Sequence, residues 1–284
     1  MVPGFSRSIS LPLSPSRSGK NSRAASNHVR SMSLPCQSHP IISNLEQQIR
    51  VIRSFSANPD ASFLWIEAGL GQIEAVLTAL EEFLHLGQTQ ETLSQAASTD
   101  SLLEDFLLLA DIYSSFVSTI VSLKQHQADV QSALRRADKI CLVSAIKSQR
   151  FVEKEIAQLS SSLKNISKCR PPALASNALE AEITGIMAEA VSTTAVASMA
   201  LFSGVVAMSA AASSTKTSST TRLFRKLALN SSSNSRVSDE EFGVAEKFEQ
   251  FEVCVGNVES CSERVFRRLI NLRVSLLNIS TPSL

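Results

Sequence analysis

The sequence predicts an all-α protein: an antiparallel bundle of long helices behind a disordered basic N-terminal arm. Three observations carry this reading. Apolar residues recur at alternating spacings of three and four in several segments, the signature of one helical face. The chain has only nine Gly and nine Pro in 284 residues, and seven of those eighteen fall in the first 40, so the remainder is poor in the punctuation an all-β fold needs. The apolar stripes differ in length and are separated by short breaks, which excludes one uninterrupted coiled coil and favours helices folded back on one another.

Taken in order, residues 1–40 lack periodicity and contain Pro3, Gly4, Pro12, Pro15, Gly19, Pro35 and Pro40. They form the arm, and the bundle domain is expected over 41–280. A short first helix follows from Ile42, Leu45, Ile49 and Ile52 and ends at Asn58-Pro59, because the residue before proline is pushed out of helical conformation. From Asp60, the stripe Ile66, Leu70, Ile73, Leu77, Leu80, Leu84 predicts a second helix with Gly87 as its stop. A Gln/Thr-rich connector leads to Asp100, read as an N-cap with Glu104 in the first turn. Leu103, Phe106, Ala110, Tyr113, Val117 and Ile120 mark the next helix, expected to run past Leu134. Val152, Ile156, Leu159, Leu163 and Ile166 mark another, closed by Arg170-Pro171-Pro172. A helix is expected over 174–213, then a basic Ser/Thr-rich loop over 214–238. A last helix from Asp239 carries Phe248, Phe251, Val255, Val258, Val265, Leu269, Leu272, Leu276 and Ile279 on one face. The stripes are core, not function.

The chemistry-bearing residues form no recognisable site. The net charge of +1 speaks against nucleic acid as a partner of the whole chain. Five cysteines, Cys36, Cys141, Cys169, Cys254 and Cys261, are odd in number and lack a C-x-x-C, which disfavours a disulfide framework or zinc site and fits a reducing compartment. Of four histidines, His28 and His39 sit in the arm, His85 at a helix end and His126 in a polar stretch. H-E-x-x-H, a P-loop, G-x-G-x-x-G and G-x-S-x-G are absent. Gly69-Leu-Gly71 lies inside a helical pattern, and the carboxylates Glu81-Glu82 and Asp239-Glu240-Glu241 lie at helix surfaces or starts. A di-metal bundle needs Glu-x-x-His on two helices, and this chain does not carry it on two. The expectation is no catalytic residue, no metal and no cofactor.

From Ala190 to Thr215 run 26 residues without a charge. Residues 191–212 are long enough to span a bilayer, which needs about 20 apolar residues. Ala200-x-x-x-Gly204 has a spacing used where helices pack closely. The stretch is rich in Ala, Ser and Thr, however, with one Leu and one Phe, and a helix packed on all sides within a bundle looks the same. Positive-inside logic would put basic 216–226 in the cytoplasm and the arm outside, away from kinases. A buried helix is preferred, with a membrane span as the alternative.

The arm holds five basic side chains, Arg7, Arg17, Lys20, Arg23 and Arg30, and no acid before Glu46. Such a segment is a solvated tail or an organellar transit peptide. Within it Arg7-Ser-Ile-Ser-Leu-Pro12 is echoed by Arg30-Ser-Met-Ser-Leu-Pro35. Each copy puts Arg three before a serine and Pro two after it. Arg at that offset suits a basophilic kinase, and Ser10 and Ser33 are the candidate phosphosites. Arg7, Pro12, Arg30 and Pro35 are the docking determinants. The phosphorylated pattern resembles the mode held by the Arg cluster of 14-3-3 proteins, which are dimers with two grooves. The 23-residue separation of Ser10 and Ser33 gives a flexible reach of roughly 26 Å, enough for one chain to occupy both. Chance repetition in a Ser/Arg/Pro-rich arm is the competing explanation.

The second copy stands in Val29-Arg-Ser-Met-Ser-Leu-Pro-Cys-Gln-Ser-His-Pro-Ile-Ile-Ser-Asn-Leu-Glu-Gln-Gln-Ile49. This stretch resembles the opening of the plant-specific domain of unknown function 241 family, related to the BYPASS proteins. Looser matches are Leu93-Ser-Gln95, Ser132-Ala-Leu-Arg-Arg136 and the Phe-rich helix from Phe242, for coverage of roughly 29–280. The resemblance implies a non-enzymatic plant protein tied to root and shoot development. The resulting expectation is a cytoplasmic helical adaptor or signalling component; the alternative is a membrane-associated or plastid protein.

Overall fold

The computed structural model describes residues 39–60, 62–136, 138–168, 175, 177–228 and 237–281, and of 134, 139, 212–228 and 237–250 the backbone alone. Seven helices and no strand occur among them: α1 (Pro40–Ser56), α2 (Phe63–Leu84), α3 (Gly87–Gln95), α4 (Thr99–Arg135), α5 (Lys139–Ser167), α6 (Ala178–Ala228) and α7 (Val237–Ser280). The all-α bundle read from the stripes is the observed architecture. The arm's Ser10, Ser33, Arg7, Pro12, Arg30 and Pro35 lie outside the described residues, as do Arg170-Pro171-Pro172.

Local sequence sets the helix ends. Pro40 opens α1 at a position where its missing N–H is no loss, and the His39 ring Nδ1 accepts from the Ile41 amide at 3.3 Å. His39 therefore belongs to the first helix and not to the arm. Asp60 accepts from the Ser62 amide at 3.2 Å, and Ser62 Oγ in turn accepts from the Trp65 amide and caps α2. Asp138 caps α5 by accepting from the Cys141 amide at 3.0 Å, which pulls its carboxyl below the usual range.

Several boundaries differ from the sequence expectation. Gly87 is not a stop: α2 ends at Leu84 with His85 as C-cap, and Gly87 opens α3. The Gln/Thr-rich connector is that short helix, held because Thr89 and Leu93, one turn apart, are both buried. Asp100 does not cap α4. It lies in the first turn, behind Thr99, whose Oγ1 donates to the Leu93 carbonyl at 2.7 Å. Nor does α4 continue past Leu134 for more than one residue; it ends at Arg135 and α5 follows after a short turn. The expected loop over 214–238 is helical to Ala228 and again from Val237, two residues before Asp239. No Gly or Pro falls between Gly204 and Gly243 to break the backbone there.

Side-chain contacts fix the helix directions. Along α5 and α6 the pairs Gln149–Ser209, Ser160–Met199 and Ser167–Ser192 run oppositely, so these helices are antiparallel. Tyr113–Ser198 and Phe116–Phe202 run together, so α4 and α6 are parallel. Glu74–Arg264 and Glu81–Arg268 likewise make α2 and α7 parallel. Successive long helices thus alternate, with α7 closing the bundle against α2 and α4. Helix α6 touches every other helix.

The main core contains the expected positions Ile66, Leu70, Ile73, Leu77, Phe106, Tyr113, Val152, Ile156, Val258 and Leu269. Val117 and Leu159 are only half-buried, and the α4 face instead turns Leu109, Ile112 and Phe116 inward. A separate small cluster, Val130, Ala133, Leu142, Ala145 and Ile146, fills the tip of the α4–α5 hairpin. Buried Gln127 and Gln149 stand between it and the main core.

Gly69 marks the tightest crossing. A Cβ there would lie 2.5 Å from Leu201 Cδ2 and 2.6 Å from the Phe55 ring. That ring is itself stacked on Trp65 at 4.7 Å between centroids. Gly204, on the same crossing, packs on Trp65 and Ile66. Gly71, two residues along α2, has nothing within 4 Å of a Cβ. Gly69→Val should therefore destabilise by about 1–3 kcal/mol through overpacking. Gly71→Ala should stabilise by up to about 1 kcal/mol through helix propensity. Urea melts of the two variants check the pair, and equal shifts would contradict the crossing.

Candidate functional site

The chemistry of the described residues is concentrated in the interior of α6. Its inward face alternates small apolar groups with hydroxyls: Ala190, Val191, Ala195, Ala197, Leu201, Phe202 and Val205 are buried, and so are Thr193, Thr194, Ser198 and Ser209. A buried hydroxyl is costly unless it finds a partner. Ser198 and Ser209 do, with partners on other helices and within α6 itself, whereas Thr194 Oγ1 is buried with no partner among the described residues.

The central contact joins α4 to α6. Tyr113, fully buried, lies 2.7 Å from Ser198 Oγ. Ser198 donates its own proton to the Thr194 carbonyl at 2.8 Å, so the phenol is the donor to Ser198. Phe116 stacks on Phe202 at 3.8 Å, and Tyr113 meets Phe202 edge-on at 5.7 Å. Burial pushes the Tyr113 phenol far above its ordinary range. It is a neutral structural donor at physiological pH. Toward the hairpin tip, Gln149 Nε2 donates to the Ser209 carbonyl at 3.3 Å and to its Oγ at 2.8 Å, while Ser209 donates to Glu153 at 2.7 Å. At the other end, Ser192 Oγ donates to the Ser167 carbonyl at 2.8 Å and satisfies the end of α5.

Outside this interior the polar groups serve helix ends and surface pairs. His85 Nδ1 lies 2.7 Å from the Glu81 carbonyl, at the C-cap of α2. It borders a cleft of about 450 Å³ lined by Leu84, Gln90, Glu91, Ser275 and Asn278. Glu82-x-x-His85 is a single Glu-x-x-His spacing, with no second copy in the sequence. His126 approaches Asp129 at 3.6 Å one turn along α4; an i,i+3 pair on an exposed helix face has no third ligand. No group of three His, Cys, Asp or Glu side chains able to hold a metal occurs among the described residues. Cys254 and Cys261, one heptad apart, are free and buried, and burial raises the Cys254 thiol to about 11. That makes it an unreactive core thiol.

Among the described residues, three helical stretches are long and apolar enough to cross a membrane: Phe63–Leu84, Thr99–Ala133 and Ala178–Ala211. Sequence reading singled out the third alone, because its neighbours contain charges and its own uncharged run is conspicuous. Between 44% and 50% of each apolar window is buried within the bundle, so a large part of each is spent on helix–helix packing.

Two measurements read the Tyr113 contact. Ser198→Ala strands a buried phenol and should cost about 1–3 kcal/mol. Tyr113→Phe leaves Ser198 with its Thr194 partner and should cost less. The second measurement is alkaline titration. The phenol is raised on folding, so its contribution is intact below the unfolded value near 10 and is lost as pH rises above it. Because Tyr113 is the chain's one tyrosine, phenolate absorbance should appear together with loss of helicity. Ionisation near pH 10 in a fully helical protein would show that the contact is not formed.

No curated protein and no solved structure matches the chain, whereas a family model described as Protein BPS1 matches residues 69–279, from the Gly69 crossing almost to the end of α7. The Val29–Ile49 stretch that carries the sequence resemblance precedes that span. The match covers most of the helical bundle, and the chain belongs to the BPS1 family, the BYPASS-related domain of unknown function 241.

Proposed function

We propose that the chain is a non-enzymatic adaptor in plant developmental signalling, acting in roots and shoots. In this reading the bundle is a stable platform and the arm is the segment that partners read. The family is linked to plant development and is not a known enzyme family. The observation that carries the reading is where the polar chemistry goes. Ser198 and Ser209 of α6, with Tyr113 and Gln149, are turned inward and bonded within the bundle. The repeated Arg-Ser-x-Ser-Leu-Pro motif lies in the sequence before the first helix.

In this account a basophilic kinase phosphorylates Ser10 and Ser33, and a dimeric phosphoserine reader of the 14-3-3 type holds both. The second site then binds at an effective concentration near millimolar. A peptide spanning residues 5–38 and phosphorylated at both serines should bind that reader at least about 10²-fold more tightly than either singly phosphorylated form. Arg7→Ala or Pro12→Ala should weaken the first site, and Arg30→Ala or Pro35→Ala the second. Fluorescence anisotropy checks this, and equal affinities would remove the bivalent mechanism.

A second reading has its own support: the Ala178–Ala211 stretch is long and apolar enough to cross a membrane, which favours a membrane-anchored protein using 191–212 as its span. Alkaline carbonate extraction of plant membranes separates the two. The adaptor is released, and a spanning protein stays with the lipid.

A further inference from the structure

The α4–α5 hairpin tip carries the bundle's most exposed large apolar side chains outside α2 and α7. On α5, Ile140 is 85%, Val143 53% and Phe151 63% exposed. At helical spacing these three share one face with Lys147, Arg150 and Lys154, all exposed, forming a ridge of apolar and basic side chains.

Several of the bundle's other basic side chains are answered by an acid. Arg53, Lys124, Arg264, Arg267 and Arg268 each pair with a glutamate. Lys147, Arg150 and Lys154 have no ion pair among the described residues. The acids that could answer them are engaged or turned away: Asp138 caps α5 and Glu153 accepts from buried Ser209. Glu155, half-buried, flanks the ridge on its other side. Arg135 and Arg136, both exposed at the end of α4, add two more positive charges beside it.

We propose that this ridge docks on an anionic lipid surface. Its charge is complementary to acidic headgroups. Its shape is a convex single helix flanked by Ser144 and Ser148, not the groove that a partner helix would fill. Phe151 and Ile140 enter the headgroup–acyl boundary, while Lys147, Arg150 and Lys154 lay their stems along it and keep their charges at the phosphates. The tip's separate small core, cut off by Gln127 and Gln149, lets the hairpin seat without disturbing the main bundle. This is attachment to one leaflet, independent of the arm and of any span by 191–212.

The test is cosedimentation of the full chain with vesicles of phosphatidylcholine alone, or of phosphatidylcholine and phosphatidylserine at a two-to-one ratio. The wild type should pellet with the anionic vesicles, less so as salt rises, and not with the neutral ones. Ile140→Ser with Phe151→Ser should lower partitioning about 10-fold or more. Lys147→Glu with Arg150→Glu should do the same and flatten the salt dependence. All four positions are exposed, so unchanged helicity and melting confirm folding. The Phe151→Trp variant should show an emission blue-shifted by anionic vesicles, beyond any change in the wild type, whose one tryptophan is Trp65. A wild type left in the supernatant overturns the proposal, as does equal pelleting of every variant. Emission of the Phe151→Trp variant that lipid leaves unchanged overturns insertion, and binding of an acidic peptide in place of vesicles assigns the ridge to a protein partner.

Discussion

The fold depends on one constraint: α6 must lie against every other helix at once. Only small side chains let a helix do this, because each neighbour must approach closely on a different side. The Ala/Ser/Thr composition that weakens α6 as a membrane span therefore suits it to a bundle centre. The hydroxyls bring a second demand. Ser198, Ser209 and Ser192 are tied to Tyr113, Gln149 and the end of α5, and each tie fixes the register of one neighbour. The large aromatic contacts Phe116–Phe202 and Phe55–Trp65 then fill the space beside the small residues.

Much of the bundle was legible in the sequence because its period is strict. The α1 and α2 stripes predicted buried Ile42, Leu45, Ile49, Ile52, Ile66, Leu70 and Ile73 correctly, since a one-sided apolar pattern leaves no other face to bury. Helix ends were less legible. Gly87 was read as a stop because glycine favours C′ positions, but Leu86 and the buried Leu93 make α3 a continuation in a new direction. Thr99 displaced Asp100 as the first residue of α4 through a bond to Leu93 that is only visible in three dimensions. Composition favoured a loop over 214–238, yet the chain is helical to Ala228 and from Val237, because Ser and Thr are only mildly unfavourable in helices.

The polar interior was the least legible part. Nothing in the sequence distinguishes Tyr113 from other stripe residues, and its partner lies 85 positions away. Gln149 sits in a polar run and reads as surface, yet it is fully buried. Such residues are recognised only when the opposing helix is known. The same holds for the α5 ridge: Ile140, Val143 and Phe151 are apolar and would be assigned to the core, and only packing shows that the buried face of α5 is the opposite one.

The adaptor reading requires that α6 be spent inside the bundle. Native-state hydrogen exchange of the full chain in detergent-free buffer measures this directly. Amides of 190–205 should be among the slowest, opening only with global unfolding. The hairpin tip around 130–146, with its small separate core, should open at lower free energy. Exchange in 190–205 as fast as at the helix ends, or a chain that is folded only in detergent, would contradict a central buried α6.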